Sequence, residues 1–68
     1  MSTVDEAFAR AEELLGTLTA RREELERLVA AEDPDGDAAV DLIAEIAELA
    51  RQIEAELTRA RALADAAG

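Results

Sequence analysis

Proline and glycine come together at only one place in this chain, Asp33-Pro34-Asp35-Gly36-Asp37, and that place is the middle of its 68 residues. The residue before a proline is pushed out of the helical region, so a helix arriving there ends at or before Asp33. On both sides the chain is rich in strong helix formers: 17 residues are Ala, with Leu, Glu and Arg filling most of the rest. β-branched residues are scattered, and the period-two alternation of a strand is missing. These features predict one helix over about residues 3–32, a turn over about 33–37 and a second helix over about 38–66, each helix roughly 42–47 Å long. Thr3-Val4-Asp5-Glu6 has the form of a capping box for the first start. The second start falls at Asp33, with Pro34 in the first helical position, or at Asp37.

Two segments of equal length joined by a short turn imply an all-α fold, an antiparallel two-helix hairpin forming a single domain. Its packing should resemble a coiled coil. In the first half Val4, Phe8, Ala11, Leu15, Leu18, Leu25 and Val29 follow alternating steps of four and three, with Arg22 in the one missing place. In the second half Ala39, Ile43, Ile46, Ala50, Ile53, Leu57, Ala60, Ala64 and Ala67 keep the same rhythm. A heptad sustained over about four repeats is the pattern of helices packed along a seam. Arg22, with Arg21 beside it, is expected to lay its methylenes along the seam and hold its guanidinium in water. Alanines late in the second helix predict a close approach at the open end, and Gly16 is the weak point of the first helix. Glu6 with Arg10, and Glu23 with Arg27, have the favourable order for ion pairs on the outer faces.

The apolar stripes are wider than one seam. Leu14 and Leu28 flank the first, and Leu42, Leu49 and Leu63 flank the second. Two helices can cover each other on one side only, and below roughly 70–80 residues a lone core contributes little stability. The surplus therefore calls for another surface, which a second copy supplies most simply by making a four-helix bundle. The expected interface residues are Phe8, Leu15, Leu18, Leu25, Val29, Ile43, Ile46, Leu49, Ile53 and Leu57.

The residue types narrow the chemistry. Cysteine and histidine are both absent, which removes disulfides, thiolate sites, the commonest general base and the commonest transition-metal ligand. Seventeen acidic residues stand against seven arginines, with no lysine, for a net charge of −10. Such a surface repels phosphate backbones and anionic lipid, so direct nucleic-acid or membrane binding is not expected, whereas a basic protein partner is compatible. The charge also fits a solvated surface, or the residue usage of salt-adapted or GC-rich genomes. The start of the chain lacks the basic region of a signal peptide, which points to the cytoplasm.

Two acidic groupings are candidate cation sites. Asp33, Asp35, Asp37, Asp41 and Glu45 have some of the spacing of an EF-hand loop, but its obligatory glycine position holds Ala38 and its final bidentate acid falls on Ala44. Glu23-x-x-Glu26 and Glu45-x-x-Glu48 set two carboxylates on one helical face each. That spacing resembles the all-α nucleotide pyrophosphohydrolases of the MazG type, and the resemblance implies Mg²⁺ and nucleotide hydrolysis. The last acid here is Glu48 where that family has Asp, and the base-binding residues are missing. The overall shape is also similar to small helical-hairpin accessory subunits such as that of exodeoxyribonuclease VII, whose Leu-Glu-x-Gly segment this chain lacks. No catalytic, cofactor or metal residues are expected. The function expected is protein–protein interaction: an acidic hairpin acting as a homodimer or small accessory subunit, or alternatively an inhibitory, antitoxin-like subunit that folds on a basic partner.

Overall fold

The computed structural model describes residues 3–67, which form two α-helices and no strand: α1, Thr3–Val29, and α2, Gly36–Ala67. They lie side by side as a hairpin measuring 54 × 16 × 11 Å. Neither helix is long and apolar enough to cross a membrane.

The turn differs in detail from the sequence expectation. α1 ends at Val29 rather than near 32, because its hydrogen bonds tighten there: the Ala30 N–H donates to the Glu26 carbonyl at 3.1 Å, and the Ala31 N–H to the Leu28 carbonyl at 3.2 Å. That shift to three-residue spacing is a common way for a last turn to close. α2 is capped by Asp35, not by Asp33 or Asp37. Its Oδ1 accepts the Ala38 N–H at 3.1 Å while its carbonyl accepts the Ala39 N–H at 3.0 Å, the geometry of an N-cap with its side chain on the third helical amide. Asp37 then falls in the first turn, where its charge complements the helix dipole. At the other end Thr3 is already the first helical residue.

The seam is formed by a different pair of residue columns from the one expected. Along α1 the residues turned towards α2 are Val4, Ala7, Ala11, Leu14, Leu18, Arg21, Leu25 and Leu28, all buried or half-buried. Along α2 they are Ala39, Leu42, Ile46, Leu49, Ile53, Glu56, Ala60 and Leu63. Both series step by three and four, and an antiparallel hairpin brings them into register as layers. The layers run from Leu28 and Ala39 beside the turn to Val4 and Leu63 at the open end, because the two chain directions are opposite. Ala7, Ala11 and Ala60 are buried, and small residues in facing layers let the backbones approach closely. Ala50, Ala64 and Ala67, expected in the seam, are exposed.

Among the described residues five ion pairs are each made within one helix: Arg10–Glu13, Arg21–Glu24, Arg22–Glu26, Arg51–Glu48 and Arg59–Glu56, at 2.7 to 3.6 Å. Arg10 turns to Glu13 instead of Glu6, and Arg27 forms no pair with Glu23 among the described residues. Exposed pairs of this kind contribute a few tenths of a kcal/mol each. They stiffen the helices without choosing how these pack.

Gly16 has nothing within 4 Å of the place a Cβ would occupy, and its φ is not positive. Gly16→Ala should therefore raise the stability of the hairpin by about 1 kcal/mol through helix propensity alone. Urea denaturation followed by circular dichroism measures this directly, and an unchanged or lowered midpoint would mean that the outer face of α1 is occupied at Gly16.

Candidate functional site

Each helix carries three adjacent apolar columns, and the hairpin uses two of them. On α1 the shared column is Val4, Ala11, Leu18 and Leu25, and the second seam column is Ala7, Leu14, Arg21 and Leu28. The third column, Phe8, Leu15, Arg22 and Val29, is exposed. α2 repeats the arrangement, with Ile43, Ala50, Leu57 and Ala64 as its exposed column. Phe8 keeps 55% of its surface in water, Leu15 53% and Ile43 55%.

Both exposed columns lie on the same broad face. Each is one residue beyond the second seam column, on the far side of the shared column. Viewed from one end, that step turns clockwise on one helix and anticlockwise on the other, because the chain directions are opposite. The two columns therefore emerge on one side of the hairpin, with exposed Val40 beside them. The opposite broad face carries Arg10, Thr17, Glu24, Glu45, Gln52 and Arg59 and no exposed large apolar side chain.

The two charged seam residues lean towards that polar face. Arg21 Nη1 reaches Glu24 at 3.2 Å, and Glu56 Oε2 lies 3.5 Å from Arg59 Nη1. Their ion pairs are incomplete as hydrogen bonds: Arg21 Nε and Glu56 Oε2 are both enclosed without a hydrogen-bond partner. It is Arg21 that stands in the seam, whereas Arg22, expected there, stands in the exposed apolar column and pairs with Glu26 at 3.6 Å.

The expected interface residues thus separate into two sets. Leu18, Leu25, Ile46, Leu49 and Ile53 pack between α1 and α2, and Phe8, Leu15, Val29, Ile43 and Leu57 face outwards together. Val40 is not among them. It lies one helical turn before Ala44 and next to Ile43 at the turn end of the same face, outside the heptad rhythm that singles out the others.

The acidic groupings do not gather. Among the described residues no three carboxylates approach one another closely enough to hold a metal ion. Glu26 is paired with Arg22, and Glu48 accepts from Arg51 at 2.7 and 3.1 Å and from Gln52 at 3.4 Å. The Arg51 hydrogen bonds, reinforced by Gln52 and by the guanidinium charge, hold the Glu48 carboxyl below its ordinary range. No cavity or cleft is present among the described residues. What the structure offers to other molecules is a face. No protein-family model, curated protein or solved structure matches the chain.

Proposed function

We propose that this protein is a non-enzymatic interaction module, an acidic helical hairpin whose apolar broad face is covered by a second copy to make a four-helix bundle. The observation that carries this reading is the gathering of Phe8, Leu15, Val29, Val40, Ile43 and Leu57 on one face while the other face is polar. Three apolar columns per helix are what a bundle of more than two helices uses, whereas a two-stranded seam needs two. The dimensions agree. The broad face is 54 Å by 16 Å, about 860 Å² in plan, close to the roughly 800 Å² per partner of a standard specific interface. Apolar columns left exposed along such a face are a burden to a protein that stays alone in water.

In a symmetric dimer every substitution acts twice. Leu15→Glu should raise the dissociation constant at least about a hundredfold, since two leucines each lose roughly 1.5–3 kcal/mol of burial. Sedimentation equilibrium at micromolar concentration is expected to give a dimer for the wild type and a helical monomer for the variant. A well-folded wild-type monomer in the same cell would defeat the reading.

A second reading, an accessory subunit seated on a basic protein, draws support from the acidity of the turn, where Glu32, Asp33, Asp35 and Asp37 have no basic residue among them. It requires weak helicity in isolation. Cooperative melting whose midpoint rises with protein concentration would count against it.

A further inference from the structure

Two hairpins can cover each other's apolar faces in two ways, with their turns at the same end of the bundle or at opposite ends. We infer that the second copy lies antiparallel, with the two acidic turns at opposite ends. This rests on the apolar face being the dimer contact, and adds which way the partner points.

The first support is the uneven distribution of charge along the hairpin. Residues 23–45, which lie within about 15 Å of the turn, hold nine of the seventeen acids and only one arginine, Arg27: a charge of −8 out of −10. The remainder of the chain holds eight acids and six arginines, a charge of −2. Packed layers stand roughly 10 Å apart, about one Debye length at 0.1 M salt, so two turns at one end would repel each other through only partial screening. At opposite ends they are separated by nearly the 54 Å length of the molecule. Each would then lie beside an open end where acids and arginines nearly balance: Asp5, Glu6, Glu12, Glu56 and Asp65 against Arg10, Arg59 and Arg61.

The second support is independent and local. Arg22 is the one charge inside the exposed apolar column, and Glu12 lies on the same face beside it. A two-fold axis crossing α1 at the height of residue 17, close to the middle of Thr3–Val29, sets Arg22 of each copy level with the partner's Glu12. Two reciprocal ion pairs result, and the same axis meets α2 near Ala50, where a small side chain permits close contact. With turns at the same end, α1 would instead face α2 of the partner. Glu12 would then meet the partner's Glu54, and Arg22 would lie between the partner's Ile43 and the partner's Ala47 with only its own Glu26 in reach.

The chain has no cysteine, so Ala31→Cys, at an exposed turn position, provides a unique attachment point for a spin label. Double electron–electron resonance on the labelled full chain, with sedimentation of the same sample, tests the orientation. The expected result is a dimer with an intermolecular distance of about 40–50 Å, since residue 31 stands roughly 21 Å along the helix from an axis at residue 17, inside the 54 Å length of the hairpin. A dimer with a distance below half that length overturns the orientation and leaves the dimer standing, whereas a monomer with no intermolecular coupling overturns both. Glu12→Arg checks the same point by sign. It should weaken an antiparallel dimer by about tenfold, the scale of two exposed interfacial ion pairs lost and turned repulsive, and Arg22→Glu added to it should restore the affinity. Tightening by Glu12→Arg alone would overturn the antiparallel arrangement.

Discussion

Replacing Leu14 by alanine is expected to lower the folding stability by about 2–4 kcal/mol at every protein concentration, while the same replacement at Leu15, the next residue, is expected to act only through association. The two leucines are chemically identical and adjacent, and they differ in what they touch. Leu14 keeps 5% of its surface exposed and packs in the seam between α1 and α2, so truncation leaves a void between two helices that cannot collapse onto each other without shifting neighbouring layers. Leu15 is 53% exposed in the hairpin, so within one chain its removal takes away little. Urea denaturation over a hundredfold range of concentration separates the cases. The Leu14→Ala midpoint should fall by the same amount throughout, and the Leu15→Ala deficit should shrink as dilution drives the wild type to monomer. Equal, concentration-independent losses at both positions would mean that the two faces of α1 are buried alike.

The second large effect runs in the opposite direction. Arg21→Leu and Glu56→Leu should each stabilise the hairpin, by about 1 kcal/mol, because each removes an enclosed polar atom with no hydrogen-bond partner and supplies an apolar side chain to a seam layer. The value stays near the lower end of the usual range because Arg21 keeps 37% and Glu56 24% of its side chain exposed. The positions are far apart along the seam, so their contributions should add. Thermal melting of the single and double variants measures this, and a lower midpoint in either would show that its ion pair, to Glu24 or to Arg59, outweighs the unsatisfied atom. A further consequence of the double variant is a change in the polar face. With leucine at both sites the seam would extend towards that side, and the two broad faces would differ less in polarity.

Those two charged residues also explain which parts of the architecture can be read from the sequence. The single break at Asp33–Asp37, the helix-forming composition and the heptad rhythm suffice for a two-helix hairpin, because each feature acts locally. The surplus of apolar surface is legible too, since Leu14, Leu28, Leu42, Leu49 and Leu63 lie beside a stripe that is already complete. The choice of seam is not. Each helix has three neighbouring columns, and a pairing that uses the shared column with Phe8, Leu15 and Val29 follows the same steps of three and four as one that uses it with Ala7, Leu14 and Leu28. Either choice admits one arginine, Arg22 or Arg21. Periodicity alone cannot separate them, because the two pairings differ by a rotation of each helix about its own axis. The cap on α2 is ambiguous in the sequence for a similar reason: three aspartates in five residues can all accept an amide hydrogen bond, and only the path of the turn brings Asp35 to Ala38.

The turn also governs how the chain reaches its folded form. The layers of the seam are nested about it, so Leu28 with Ala39 closes the shortest loop and every later layer adds to those already formed, at little further entropic cost. Such nesting is expected to favour folding from the turn outwards, within the fast, locally connected class. Its first step is also where most of the negative charge is concentrated. The same six-residue connection between Val29 and Gly36 thus sets the pace of folding and ties that pace to the ionic strength of the surroundings, since counterions ease the approach of the two acidic helix ends before any apolar contact forms between them.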